Sequence, residues 1–278
     1  MDLNLEQYVR RAKEGDLQAL EEVVCGIQEK IYGLALRMLG HPEDAEDEAQ
    51  EILIKIITHL SSFREESAFT SWVYRIACNH LLTARKKRYE RMGLTFDLLE
   101  ESVLAGVENT EPLTVSGPER DVLLEETRVG CMQGALVCLE RDVRITVILG
   151  EQYGVTSKEG AFILDISPEL FRKRLSRGRK SLENFMRKNC GLVNSDNACR
   201  CSKQAGGRLK NGLIDMSFVK KEDAATGRSE AISYLGQLAE IDRTVAMYRR
   251  YPGYHTPESF THIMKELISS GKYTVFSG

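Results

Sequence analysis

The segment PELFRKRLSRGRK, Pro168 to Lys180, carries Arg172, Lys173, Arg174, Arg177, Arg179 and Lys180. At helical spacing Phe171, Leu175 and Leu182 fall on one side and the cations on the other. A helix of this width fits the DNA major groove, where arginine bonds guanine through two donors and lysine neutralises phosphate. Glu169, near the start, can accept from a cytosine amino group. A second group lies in FREESAFTSWVYRIACNHLLTARKKR, Phe63 to Arg88. Phe63 and Phe69 flank a polar loop that includes Ser67 and Ala68, Trp72 is the only tryptophan, and Arg85, Lys86, Lys87 and Arg88 follow. Aromatic edges beside cations hold an unstacked base and grip its phosphates. The same three rings would equally fill a helical core. The third group is Cys190, Cys199 and Cys201, spaced C-x8-C-x-C. Three thiolates supply most of a tetrahedral zinc site, or a redox-sensitive pair. No fourth ligand is local, and His255, His262 and Cys131 are distant candidates. The plain alternative is free thiols in a polar connector.

The elements that position these groups read as helices throughout. After Pro42, the residues Ala45, Ala49, Ile52, Ile56 and Leu60 recur every three or four positions and define one buried face. Pro42 suits a first helical turn, and Glu43, Asp44, Glu46 and Asp47 complement the positive end of the helix dipole. Asp44, Asp47, Glu48, Glu51 and Lys55 are expected on the solvent side, an acidic face seeking a basic partner. The next helix begins near Ala68, with a core face of Phe69, Val73, Ile76, Ala77, His80 or Leu81, and Ala84. From Thr95 to Arg120 periodicity is lost in GVENTEPLTVSGPER and similar sequence, which reads as a flexible linker. Helical patterning resumes at Asp121. Ser157–Leu164 and Pro168–Phe185 flank a tight turn in which Ser167 is a good N-cap, the layout of a helix-turn-helix.

The formal charge of −3 conceals strong segregation, acidic from Glu43 to Glu51 and basic at 85–91 and 172–180. Such patches govern partner choice more than the total does. No apolar run approaches the roughly 18 to 20 residues of a membrane span, and MDLNLEQYVRRAKEGD lacks the layout of a signal peptide. The chain is expected in the cytoplasm, without membrane insertion. There its seven cysteines are expected as thiols or metal ligands.

DAEDEAQEILIKIITHL followed by FREESAFTSWVYRIACNHLLTARKKR resembles the second conserved region of bacterial sigma factors of the extracytoplasmic-function (ECF) group of the sigma-70 family. The helix-turn-helix with FRKRLSRGRKSL resembles their fourth region. The likeness runs from about Leu5 to Lys188. It implies an all-α fold of two helical domains joined by a flexible linker, with a small, mostly helical C-terminal extension. The domains are then 1–94 for region 2, 95–120 for the linker, 121–188 for region 4 and 189–278 for the extension. It implies a promoter-specificity subunit of RNA polymerase, not an enzyme, which recruits the core enzyme and assists promoter opening. Asp44, Asp47, Gln50 and Glu51 become candidate contacts to core polymerase. Lys55, Asn79 and the loop Phe63 to Phe69 become the pocket for a flipped base of the −10 element, with Arg85, Lys86, Lys87 and Arg88 on the backbone. Ser167, Glu169, Arg172, Lys173, Arg177 and Arg179 are assigned to the −35 element. No cofactor is required, zinc at the C-terminal cysteines is the exception to test, and the likeness leaves room for a separate anti-sigma protein. Minimal members of the group end soon after the recognition helix, so the extension is expected to regulate the sigma unit in cis. The competing reading is a stand-alone helix-turn-helix regulator that binds duplex DNA without polymerase.

Overall fold

A computed structural model describes residues 3–85, 91, 93–111, 113, 115–211, 240–249, 256–257, 260, 264–266 and 268. The described residues are helical and contain no strand beyond one isolated bridge. By contact the chain divides into two compact units, one of Met1–Met92, Val155–Arg172 and Gly253–Gly278, the other of Gly93–Gly154 and Lys173–Pro252.

The first unit opens with α1 (Leu3–Lys13), α2 (Leu17–Leu39) and α3 (Pro42–Thr58). Asp16 caps α2 by accepting from the Ala19 N–H at 3.0 Å, and Gly40 closes it in a left-handed conformation at φ 78°. That conformation costs a glycine nothing. Pro42 starts α3 as expected, and Ala45, Ala49, Ile52, Ile56 and Leu60 are all buried. Glu48 departs from the expected solvent face: it is buried, because His80 of α4 (Phe69–Thr83) supplies a partner. α4 buries Phe69, Val73, Ala77, His80 and Leu81, while Ile76 and Ala84 are half-buried.

The helix-turn-helix pair begins within this unit. α8 (Ser157–Leu164) starts at a capping box in which Thr156 Oγ1 accepts from Glu159 N–H and the Glu159 carboxylate accepts from Thr156 N–H. These bonds hold the Glu159 carboxyl below its ordinary range. Asp165 ends α8 in the left-handed region at φ 53°. Ser167 Oγ accepts from Leu170 N–H at 3.1 Å and so caps α9 (Pro168–Asn189), as expected. The two helices approach so closely at Gly160 that any Cβ there would overlap the Phe171 ring. The C-terminal residues Phe260, Met264 and Ile268 are buried at helical spacing, with Phe260 6.3 Å from the Tyr32 ring of α2.

In the second unit the segment expected as an aperiodic linker contains a helix, α5 (Phe96–Glu108), capped by Thr95 and buried at Leu99 and Val103. It packs against α6 (Pro118–Val137). The α6 C-terminus is closed by buried Arg144 of α7 (Arg141–Val147), which donates to the carbonyls of Val137 at 2.6 Å and Leu139 at 2.9 Å. α7 runs on into a π-helical turn, Ile148–Gln152. The extension contributes α10 (Cys201–Lys210), packed on α5 and α6, and α11 (Glu240–Arg249), packed on the π turn.

Candidate nucleic-acid interface

The first unit carries an open groove of about 410 Å³ between α3 and α4. Pockets that hold small ligands run from about 300 to 1,000 Å³, so the space admits one flat heterocycle. Lys55, His59, Ser62, Trp72, Asn79 and His80 are among its walls. Of the residues expected here, Lys55 and Asn79 are exposed and face this space.

Lys55 is held in position. Its Nζ lies 2.5 Å from His80 Nδ1, and His80 Nε2 bonds the buried Glu48 carboxylate, with Glu51 3.8 Å away. The network assigns the tautomer: an ammonium only donates and a carboxylate only accepts, so Nε2 carries the proton and Nδ1 accepts from Lys55. Glu48, Glu51 and His80 are the one group among the described residues with ligand atoms at metal spacing. Both ring nitrogens of His80 are already bonded, so the arrangement serves to place Lys55.

The aromatic residues fill the role of a core. Phe63 and Phe69 are buried, their centroids 5.3 Å apart in edge geometry, and Trp72 lies 5.5 Å from Phe63 and 5.8 Å from Phe69. Neither phenylalanine offers a free face to a base, which corrects the assignment of Phe63 and Phe69 to the base pocket and leaves them in the core. Trp72 is half-buried and reaches the groove from this cluster. The sequence held this signal, because Trp72 lies seven residues before Asn79, on the same helical face. The loop itself is tied to α1: Lys13 Nζ donates to the Phe63 carbonyl at 2.8 Å, and Arg10 pairs with Glu65 at 3.3 Å. Ser67 is half-buried and Ala68 exposed beside it. Arg85 is exposed, whereas Lys86, Lys87 and Arg88 lie outside the described residues.

On α3, Asp47 and Glu51 are exposed and Asp44 and Gln50 half-buried, all on the helix's polar side. Burial and the neighbouring Asp47 and Glu43 push the Glu46 carboxyl above its ordinary value, in keeping with a dense negative field.

On α9, Ser167, Glu169, Arg172, Lys173 and Arg177 are exposed. Arg172 Nη1 lies 3.4 Å from Ser157 Oγ, and Arg177 pairs with exposed Glu140 at 3.1 Å, an ion pair that solvent weakens. Arg179 differs from its neighbours. Its guanidinium is bound to Glu151, whose side chain is 2% exposed and also accepts from Arg249 of α11 at 3.0 Å. A buried carboxylate needs these cations, so Arg179 is a structural partner and not a groove-facing reader.

Cys190, Cys199 and Cys201 are free thiols. No three of the described cysteine sulfurs fall within metal-ligand spacing.

Comparison with known proteins accounts for this arrangement. The Sigma-70 region 2 family matches residues 27–91, which span the acidic helix, the groove and α4. The RNA polymerase sigma-H factor of Pseudomonas aeruginosa is 30% identical over 188 residues, covering 65% of this chain and 93% of that protein. The chain belongs to the sigma-70 family, in its ECF group. The ECF RNA polymerase sigma factor SigW of Bacillus subtilis is 30% identical over 194 residues, 67% of this chain and 99% of its own length. The ECF RNA polymerase sigma-E factor of Escherichia coli K12 is 33% identical over 180 residues, 63% of this chain and 91% of its own. About a third of the present sigma factor therefore lies outside each alignment. Sigma factors confer promoter specificity on RNA polymerase and do no catalysis themselves. No described helix is long and apolar enough to cross a membrane.

Proposed function

We propose that this sigma factor recruits core RNA polymerase through the acidic side of α3 and opens promoters by holding one flipped base of the −10 element in the groove between α3 and α4. The observation that carries the reading is the groove itself. Lys55, fixed by His80 and Glu48, supplies a cation for a phosphate, Asn79 presents an exposed amide able to donate and accept, and Trp72 supplies an aromatic wall. Trapping a base outside the stack favours the melted state without chemistry, because the energy comes from contacts the duplex cannot make. Asp44, Asp47, Gln50 and Glu51 are the polymerase contacts, and complementary charge steers them onto a basic partner. Ser67, Ala68 and Arg85 border the melted strand, joined by Lys86, Lys87 and Arg88 along its backbone.

The −35 element is read by α9, with Ser167, Glu169, Arg172, Lys173 and Arg177 on its exposed side. Arginine and lysine set the register on phosphates, and base-edge bonds choose the sequence. In functional terms 1–94 acts as region 2, 121–188 as region 4, and 189–278 as a regulatory extension. The work is done in the cytoplasm and needs no cofactor; zinc at Cys190, Cys199 and Cys201 would concern how the extension is held. A separate anti-sigma protein would have to cover the acidic side of α3 or the exposed side of α9.

Run-off transcription with purified core polymerase on a promoter library tests the reading. The full-length chain should yield transcripts from a shared promoter class, and Asp47→Lys/Glu51→Lys should abolish them while leaving the fold intact. Transcription unaffected by the charge reversal would overturn the docking assignment.

A further inference from the structure

In the second unit, four cysteines from three segments meet around one small cavity. Cys131 comes from α6, Cys190 from the end of α9, and Cys199 and Cys201 from the start of α10. Arg128, Arg200, Arg208 and Gln204 share its wall. The segment between Cys190 and Cys201 is pinned back on itself. Cys190 and Cys199 pair as a parallel bridge, Asn197 Nδ2 donates to the carbonyls of Arg187 at 2.9 Å and Cys190 at 3.2 Å, and Arg200 donates to those of Cys199 at 2.8 Å and Ser195 at 3.0 Å. Any Cβ at Gly191 would collide with the Arg200 guanidinium and the Cys199 carbonyl, so only glycine allows the return.

The donors around the sulfurs are what a plain connector does not explain. Burial raises the Cys190 thiol, and the backbone N–H groups of Leu192 and Val193 oppose that rise. Gln204 Nε2 lies 3.7 Å from Cys199 Sγ. Arg128, one of the cavity's lining residues, is buried and paired through Nη2 with Glu125, while its Nη1 is buried without a hydrogen-bond partner. Burial is the largest influence on all four thiols and pushes each up, to about 12 at Cys131 and Cys201; the charge of Arg128 opposes it at Cys190 and Cys201, and that of Arg208 at Cys131 and Cys199. Neutral thiols are weak acceptors and give such donors little to bond. Thiolates would satisfy them.

We propose that Cys131, Cys190, Cys199 and Cys201 form a four-thiolate site for zinc, which fastens the beginning of the extension to α6 and the end of the recognition helix. Four sulfur ligands in a tetrahedral set select zinc or iron among common metals, and zinc brings no redox chemistry. The step balances without an oxidant: Zn²⁺ and four R–SH give [Zn(SR)₄]²⁻ and four protons released to solvent. The product's charge of −2 is offset by the guanidinium groups of Arg128 and Arg208, and Gln204 Nε2 beside Cys199 Sγ is a sulfur-directed donor of the kind that tunes metal thiolates. The sulfurs must draw together, since Zn–S bonds of about 2.3 Å place them about 3.8 Å apart, closer than any trio of them lies here. Cys131 supplies the fourth ligand that the local sequence lacks.

The test uses the reduced full-length chain, loaded with Zn²⁺ and separately with Co²⁺. One metal per chain is expected, with the sulfur-to-cobalt charge transfer and intense visible bands of a tetrahedral cobalt thiolate. Cys131→Ser and Cys199→Ser should each weaken zinc binding on the order of 100-fold, with helical content by circular dichroism confirming that each variant folds. Cys25→Ser, in the other unit, should bind as the parent does. Absence of metal from the reduced parent, retention of full affinity by both Cys131→Ser and Cys199→Ser, or closure of these thiols as disulfides in the presence of excess zinc would overturn the site.

Discussion

Phe63→Ala separates a core aromatic from a base-stacking one. Phe63 is 5% exposed and touches both Phe69 and Trp72 ring to ring. Removing a ring from such a site costs about 3–5 kcal/mol, of which the ring geometry accounts for about 0.5–1.5 kcal/mol. Phe63→Leu conserves most of the volume and should cost under about 1.5 kcal/mol. The assay is urea unfolding followed by fluorescence of Trp72, the only tryptophan in the chain, which therefore reports on the unit in question. With a urea slope of about 1–3 kcal/mol per molar, Phe63→Ala should lower the midpoint by roughly 1 M or more, and Phe63→Leu by much less. A midpoint unchanged in Phe63→Ala, together with lost binding of single-stranded −10 DNA, would refute the assignment of Phe63 to the core.

Other consequences follow from the same packing. His80→Leu removes the imidazole bonded to buried Glu48 and should cost up to about 3–5 kcal/mol in the same fluorescence assay, much of it recovered in Glu48→Leu/His80→Leu. Arg179→Ala and Arg249→Ala each leave Glu151 one of its two cations among the described residues, and the double variant removes both; thermal unfolding by circular dichroism should show the double loss exceeding the sum by about 0.5–3 kcal/mol. Gly160→Ala forces a methyl into the Phe171 ring and should destabilise by about 1–3 kcal/mol while weakening binding to duplex −35 DNA, with Phe171→Leu restoring part of both. In thiol titration of the reduced chain at pH 8, Cys25, which is exposed, should react first and Cys78 last, because complete burial pushes the Cys78 thiol far above its ordinary value and keeps it protonated.

What could be read from sequence was what is determined locally. Pro42 and the Ser167–Pro168 start each encode a helix boundary locally, and α3 and α9 begin where those signals place them. α5 escaped notice because only Leu99 and Val103 are buried, while Leu98 and Leu104 point outward and blur the period. It packs on α6 and on α10, and the latter lies far along the chain. Glu48 and Arg179 were assigned to solvent and to DNA, the usual places for a carboxylate and an arginine on polar helix faces. Their partners, His80 and Glu151, lie 32 and 28 residues away, beyond any spacing rule. The Phe63, Phe69 and Trp72 pattern fits a base pocket and a core equally well, since both need apolar rings at helical spacing, and only tertiary packing distinguishes them. The groove was legible through Lys55 and Asn79, but not the role of His80 in holding the lysine.

The central claim is that the groove beside Asn79 receives a base from the opened promoter. The direct measurement places 2-aminopurine at successive −10 positions of the non-template strand and follows its fluorescence as core polymerase carrying this sigma factor opens the DNA. One position should brighten as its base leaves the stack, and Asn79→Ala, an exposed substitution that spares the fold, should reduce that opened fraction about tenfold, the loss of roughly one well-made hydrogen bond of up to 1.5 kcal/mol. Equal brightening in the parent and in Asn79→Ala/Lys55→Ala would contradict the account.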